Sequence, residues 1–464
     1  MKIALLAVKW IAGCLLGLII IIGLCWWLIP DEELNKEAEK FVSLAPAPPA
    51  ANNAYFLLWG FTASPELDAH QVGQQIVAAH DRIVAAEKDL SKFKMEAFYG
   101  ERPYKFPQET KKLCDVEKEN CLRVYQAKQA EIQFQSDEYK VYMARYRQIR
   151  EYQDFGLALS QATVQTPIMQ WAPILRMSDL VDGSIARGMM SKNTQRAALE
   201  ELAAEVNSWR RLLQGNDWLI TQMLSAAALT RKYRLASEIM STYPEVVAAY
   251  PEIMETITKP LLPSNTNTVA SVAAEARMLV GTFRGMQSKG RWLEDSFFEG
   301  MPGPPLRAAF AAGGFRQNAT LNEAYGYFNR VLASLAKSPK QMQNELPAAN
   351  PGLTNHVALK WSDVFYNPVG RITNRIAEPD YFKYAIRIHD LIGFSRLLDL
   401  ERRIVSGNVP TEGVAAFLAQ AGPALMEPYT EQPMQWDAAN KRVWFAPKGD
   451  RLRLMGYVTL GHLK

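Results

Sequence analysis

Histidines, cysteines and one acidic group set among aromatic residues are the side chains here whose types could do chemistry. The histidines stand at His70, His80, His356, His389 and His462. His70 and His80 share one amphipathic pattern, but on a helix they lie about 80° apart around the axis and about 15 Å along it. They cannot share a metal without outside ligands. No His-Glu-x-x-His, no second histidine one turn away and no Cys–His set occurs, so no metal or cofactor ligand is assigned. His389-Asp390 places a base beside an acid, yet helix neighbours point about 100° apart, which favours a capping or core role. A nucleophile elbow, a phosphate-binding loop and a dinucleotide fingerprint are all missing, and Lys448-Gly449 lacks the upstream glycines of a phosphate loop. What remains for catalysis is RWLEDSFFEGMPGPP, where Glu294, Asp295 and Glu299 flank Phe297 and Phe298. A carboxyl group in an aromatic pocket has a raised pKa and could protonate a glycosidic oxygen. The competing reading is a helix end before the loop Met301–Pro305.

The cysteines fall into two pairs. Cys14 and Cys25 lie in an apolar run and read as packing residues. Cys114 and Cys121 lie in KKLCDVEKENCLRV. A continuous helix would separate them by about 10.5 Å, beyond the roughly 7 Å limit for a bridge. A disulfide therefore requires residues 115–120 to turn. DVEKEN suits a polar turn and a helix equally, and it is the compartment that favours the bond.

The compartment follows from residues 10–29, WIAGCLLGLIIIIGLCWWLI, an uncharged stretch of about 30 Å as a helix, which matches a hydrocarbon core. Trp26 and Trp27 stand at its exit, where indoles favour headgroups. Lys2 and Lys9 precede it and Asp31, Glu32 and Glu33 follow it. By the positive-inside rule residues 1–9 form a cytoplasmic tail and the bulk of the chain lies outside. The run is longer than a signal-peptide core, so an uncleaved single-pass anchor is expected. Cys14 after Ile11-Ala12-Gly13 looks superficially like a lipoprotein processing site, but the apolar run continues past it. The net charge of +4 balances 52 basic against 48 acidic residues and gives no reason to expect nucleic-acid binding.

Beyond the span, residues 30–53 read as a charged juxtamembrane helix and a Pro/Ala linker (SLAPAPPAANN) that spaces the body from the bilayer. The fold class expected is mainly α: a transmembrane helix, an irregular array of helical hairpins over 54–350, and a helical region over 351–464 ending in a small antiparallel β element. Ala54–Phe61 reads as a buried core segment. Apolar periodicity marks helices over 68–94, 122–155, 194–214, 218–243, 269–286 and 320–336. Breakers separate them at Gly215-Asn216, Pro244, Pro251, Pro260, Pro263 and Pro302–Pro305. Thr320 with Glu323 suggests a capping box. Runs at 434–437, 442–445 and 452–458, split by turn residues, suggest the sheet.

Three C-terminal stretches carry a resemblance: Asn367-Pro368-Val369-Gly370-Arg371, the helix Tyr384–Arg403, and Glu427-Pro428-Tyr429-Thr430-Glu431-Gln432-Pro433-Met434. Together they resemble the ending of uncharacterised membrane-anchored bacterial envelope proteins, where a helix leads through a Pro-containing loop to a DPYTGQPL-like turn and a small sheet. The ending is also loosely similar to the C-terminal region of type II secretion pseudopilins. Glu427 stands in place of the Asp and Glu431 in place of the Gly, and the prepilin leader is absent. The resemblance covers about 100 residues and implies a fold element rather than an activity.

Two functions follow as expectations. The first is a membrane-anchored periplasmic binding or scaffold protein of the bacterial inner membrane, contacting an envelope protein partner without catalysis. The second is an envelope glycan hydrolase using Glu294 or Glu299.

Overall fold

In a computed structural model the described residues are 2–43, 50–86, 90–104, 112–215, 218–266, 268–289, 313–349, 363, 365–377, 381–449 and 456–463. Glu294, Asp295, Glu299 and His356 lie outside them.

Helix α1 (Lys2–Leu28) contains the apolar span. No part of Val8–Leu28 is buried inside the protein, and the stretch is long and apolar enough to cross a membrane. Helix α2 (Lys36–Ser43) follows. The six residues of α3 (Ala54–Trp59) are all buried, with Asn53 capping the helix by accepting from Tyr55 N at 2.9 Å. Helix α4 (Ala69–Ala85) starts at its N-cap Asp68 and crosses α3 so closely that a Cβ on Gly73 would sit 1.7 Å from Phe56 O. Only glycine permits that approach.

The single helix expected over 122–155 is instead three: α5 (Cys121–Ala127), α6 (Gln129–Glu138) and α7 (Lys140–Gln148). The breaks fall at Lys128 and Tyr139, where ψ opens to 24° and 23°. Breaking the rod lets Tyr125, Ile132, Tyr142 and Tyr146 all reach one core, which a straight helix with a drifting stripe could not do. Next come α8 (Trp171–Gly188), α9 (Lys192–Gln214) and α10 (Leu219–Thr242). The short α11 (Glu245–Ala249) and α12 (Pro251–Thr258) precede α13 (Thr268–Lys289).

Helix α14 (Gln317–Leu335) begins before Thr320, so the expected capping box does not form. Thr320 lies inside the helix, donating to Arg316 O at 2.6 Å. The cap comes from far away in sequence. The Asp31 carboxylate accepts from Asn318 N at 2.8 Å and Ala319 N at 3.1 Å, placing negative charge at the positive end of the helix. Helices α15 (Pro339–Ala349), α16 (Pro368–Ala377), α17 (Tyr381–Ser406) and α18 (Val414–Ala419) follow. Three short strands close the chain: β1 (Gln435–Asp437), β2 (Arg442–Trp444) and β3 (Tyr457–Thr459). They pair antiparallel in the order β1-β2-β3, with Trp436 opposite Val443 and Val443 opposite Val458. The architecture is thus the expected helical array with a small sheet.

Two apolar cores organise it. The first runs from Ala54 to Ala274 and resumes at Ile388 in α17. The second contains Val272, Phe283, Phe328, Met342, Val369, Tyr381 and Phe382, so it draws on both sides of position 350 rather than dividing there. Helix α17 enters the second core with Tyr381 and the first with Ile388, joining them as one rod.

At the centre of the first core Lys232 is wholly buried. Its Nζ meets Asp182 Oδ1 at 2.5 Å, Glu205 Oε2 at 2.9 Å and Ser178 O at 3.1 Å. Burial opposes ionisation of Glu205, but Lys232 and Arg150 outweigh it and hold the group below the usual carboxylate range. The cluster ties α8, α9 and α10 together at fixed register. Replacing Lys232 by Ala would leave Asp182 with only the Arg231 guanidinium at 3.9 Å and Glu205 with Arg150 at 2.7 Å, and cost about 3 kcal/mol. Urea unfolding of the detergent-solubilised protein, followed by circular dichroism, measures this. Lys118→Ala, which removes an exposed pair with Asp115, should leave the midpoint unchanged.

Candidate functional site

The segment between the two outer cysteines turns rather than continuing as helix. Lys118 N and Glu119 N both donate to Asp115 O, at 3.0 and 2.9 Å, and Asn120 caps α5 by accepting from Arg123 N at 3.0 Å. The turn brings Cys114 and Cys121 to disulfide distance, with Cα atoms 5.6 Å apart. Both ends of the loop are held. Leu113 N donates to Asp179 at 3.2 Å, and Lys128 Nζ donates to Leu113 O at 2.8 Å. On the other side Glu238 of α10 accepts from Cys121 N at 3.2 Å and Leu122 N at 2.8 Å. Burial raises the Glu238 pKa, and those two amides work against the rise.

This loop forms one wall of a cleft of about 340 Å³. The second wall is the face of α10 carrying Arg234, Ser237, Glu238 and Ser241, and the third is β3 with Tyr457 and Thr459, followed by Gly461 in the turn beyond it. β3 is an edge strand, and two of its carbonyls are occupied from α10. Arg234 donates to Tyr457 O at 3.3 Å and Ser241 to Thr459 O at 2.7 Å. Capping the edge in this way keeps it from templating another strand. The Tyr457 ring also carries two guanidinium groups, Arg234 at 5.0 Å and Arg442 at 4.3 Å from its centroid.

Behind Ser237 and Ser241 lies Glu401 of α17, wholly buried. Burial pushes its pKa up to about 8, against smaller opposing effects from Ser237, Arg234 and Ser241. The Ser241 hydroxyl, whose proton goes to Thr459 O, lies 3.4 Å from Glu401 Oε1, and Oε2 has no hydrogen-bond partner among the described residues. Burial thus favours the neutral form of Glu401, which lies under a polar cleft.

Three of the histidines are used elsewhere. His80 is wholly buried, with Nδ1 3.1 Å from Asp81 Oδ1 and Nε2 3.1 Å from Thr166 Oγ1. That order of groups imitates a nucleophile–base–acid relay. Thr166, however, is itself buried and accepts from Thr163 N at 2.9 Å, so the set staples loop 160–166 onto α4. His70 stacks on Tyr152 and contacts its hydroxyl at 2.9 Å. His389 is buried, and desolvation lowers its pKa to about 4. Its neighbour Asp390 instead accepts from Tyr429 Oη, Lys448 N and Gly449 N at 2.7, 3.0 and 2.8 Å, tying the C-terminal turns to α17. Among the described residues no three His, Cys, Asp or Glu side chains gather as metal ligands.

Sequence reading reached the wall formed by Cys114 and Cys121 and missed Arg234, Glu238, Ser241, Glu401 and Tyr457. One signal was available. Arg234, Ser237, Glu238 and Ser241 stand at i, i+3, i+4 and i+7, a polar stripe on a helix otherwise rich in Leu and Ala. Compared with family models, curated proteins and solved structures, the chain finds no match.

Two measurements follow from the cleft. Peptides from unreduced protein should show residues 114 and 121 linked by mass spectrometry, and free thiols at both would contradict the bond. Glu401 holds a proton in the folded state that it loses near pH 4.5 when unfolded. Its contribution is therefore fully present below about pH 4.5 and is lost as pH rises towards about 8. Glu401→Gln should remove that slope and make the protein more stable than the parent at pH 9, by on the order of 3 kcal/mol.

Proposed function

We propose that this chain is a single-pass, membrane-anchored binding or scaffold protein of the bacterial cell envelope. Its N-terminus is cytoplasmic, its body lies on the periplasmic face of the inner membrane, and it acts by contact with an envelope protein rather than by catalysis.

The observation that carries this reading is the way the body meets the exit of α1. Arg316 donates to Trp26 O and to Ile29 O, the latter at 2.8 Å. Asp31 caps α14, while Asn322 reaches Glu32 Oε2 at 3.2 Å and Glu33 O at 3.0 Å. Leu34 and Phe41 then pack into the second core, with Phe41 against Phe328 at 6.4 Å between ring centroids. Residues 31–41 are part of the body, so the span is fastened to it before the Pro/Ala stretch begins. A body fixed in this way presents the same surfaces at a fixed height and orientation above a bilayer, which suits docking of a neighbouring component.

The orientation rests on Lys2 and Lys9 before the span and three acids after it. The approach of Cys114 to Cys121 supports an oxidising compartment. Absence of catalysis rests on the sequence, which holds none of the nucleophile, metal or phosphate motifs. Alkaline phosphatase fused after Lys464 should be active in cells, and a reporter that works only in the cytoplasm should be silent. The reverse pattern would overturn the proposal, because both the docking surfaces and the cysteine pair would then face the wrong compartment.

A further inference from the structure

We propose that Glu401 is a proton-operated latch for the last strand of the chain: the neutral acid lets β3 dock on α10 and α17, and its ionisation releases β3 with the turn that follows. The sheet has three strands of three residues each, and a sheet of that size is ordered only by what it packs against. For β3 that support is a narrow seam. Val458 and Leu460 are buried in the first core, and Gly461 approaches α10 so closely that an added Cβ would sit 3.3 Å from Ser241 Cβ. Two hydrogen bonds complete the seam, from Arg234 to Tyr457 O at 3.3 Å and from Ser241 to Thr459 O at 2.7 Å. Ser241 links the strand to the acid, because the same hydroxyl oxygen lies 3.4 Å from Glu401 Oε1. The chain just after β2 is held separately. Phe445 packs on Gly393 of α17, where a Cβ would meet its ring at 2.4 Å, and Lys448 N and Gly449 N donate to Asp390.

The groups around Glu401 decide whether its charge is tolerated while β3 is docked. From α10 come the hydroxyls of Ser237 and Ser241 and one cation, Arg234, which is also committed to Tyr457. Glu238 on the same helix is a second acid, occupied by Cys121 N and Leu122 N, and Lys232 is turned to Asp182 and Glu205. On α17 itself Asp399 takes Arg402 and Arg403, next to Thr258 of α12. Helix α11 buries only Val246 and Val247. β2 offers Arg442, which lies over the Tyr457 ring, and the turn after β3 carries His462, whose pKa burial lowers. Arg234 is thus the one cation among the described residues that favours ionised Glu401, and burial outweighs it. Oε2 has no hydrogen-bond partner among them. A buried carboxylate so poorly matched is costly, and opening the seam to water relieves that cost.

With β3 released, Glu401 loses its proton near pH 4.5, and with β3 docked it keeps it up to about pH 8. Opening is therefore least favoured below about pH 4.5, grows as pH rises, and levels off above about pH 8. Hydrogen exchange of the detergent-solubilised full chain, followed by mass spectrometry and corrected for the intrinsic pH dependence of exchange, tests this between pH 6.5 and 9. Opening of peptides covering residues 457–463 should rise about thirtyfold over that range, while peptides from α9 stay far better protected. His462 acts in the opposite direction there and by no more than about twofold. Glu401→Gln should make the opening independent of pH. Ser241→Ala keeps the acid but removes the bond to Thr459 O, so it should raise opening about threefold to tenfold at every pH and leave the slope intact. A flat pH profile in the parent, an unchanged slope in Glu401→Gln, or a Ser241→Ala protein no more open than the parent would overturn the proposal. Exchange of α9 as fast as that of β3 would also overturn it, since the event would then be unfolding of the whole body.

Discussion

Helix α1 offers apolar side chains on every face and finds no protein to bury them along Val8–Leu28, so the position of the whole molecule depends on what happens where that helix ends. The answer is a clamp. The last carbonyls of a helix have no partners of their own, and here the Arg316 guanidinium takes those of Trp26 and Ile29. The first amides of α14 are likewise unpaired, and the Asp31 carboxylate takes them. Each end supplies what the other lacks, and Phe41 closes the contact with apolar surface.

The same economy of satisfying backbone with side chains recurs through the body. An irregular helical array has many loops, and buried loop carbonyls must find donors. Arg145 donates to the carbonyls of Phe61, Ala63, Ser64 and Leu67, and Arg210 to those of Thr256, Ile257 and Lys259 at the end of α12. A guanidinium presents five donors in a rigid fork and serves several carbonyls at once. The cleft is built from the same parts: Arg234 on a strand carbonyl, Glu238 on the amides that open α5, and a cysteine pair across the loop between. Through α17 the clamp and the cleft belong to one rod-linked framework.

Helices with an apolar buried face were legible in the sequence: α9, α10, α13 and α14 were each placed to within a few residues, while α4 starts where expected but ends at Ala85 rather than at 94. Helix α8 was not legible, and the reason is physical. Ile174, Met177, Val181 and Ile185 recur there at helical spacing, but Arg176, Ser178, Asp179 and Asp182 are buried among them, and their charge reads as a solvated face. The cations that make burial tolerable, Arg231 and Lys232, lie on α10 and are invisible to a local pattern. The cap of α14 failed for the same reason, since Asp31 is separated from Asn318 by 287 positions. The turn Glu427–Met434 was placed as a structural element, and Glu431, standing where the resembled motif has glycine, takes a φ of 58°. Of the cleft, the cysteine wall was read and the polar stripe of α10 was readable, whereas Glu401 and Tyr457 join them only through the docking of β3 and α17 on α10.

The central claim is that the long apolar helix α1 is fixed to the body rather than tethered to it, and pulsed electron paramagnetic resonance in lipid nanodiscs tests it directly. With Cys14 and Cys25 replaced by Ser, spin labels on Leu28→Cys and Ala336→Cys mark the exit of α1 and the far end of α14. A fixed body gives a single narrow distance of about 30 Å, the length of α14 at 1.5 Å per residue. Arg316→Ala with Asp31→Asn should broaden that distribution. A broad distribution in the parent protein, unaltered by the two substitutions, would contradict the account.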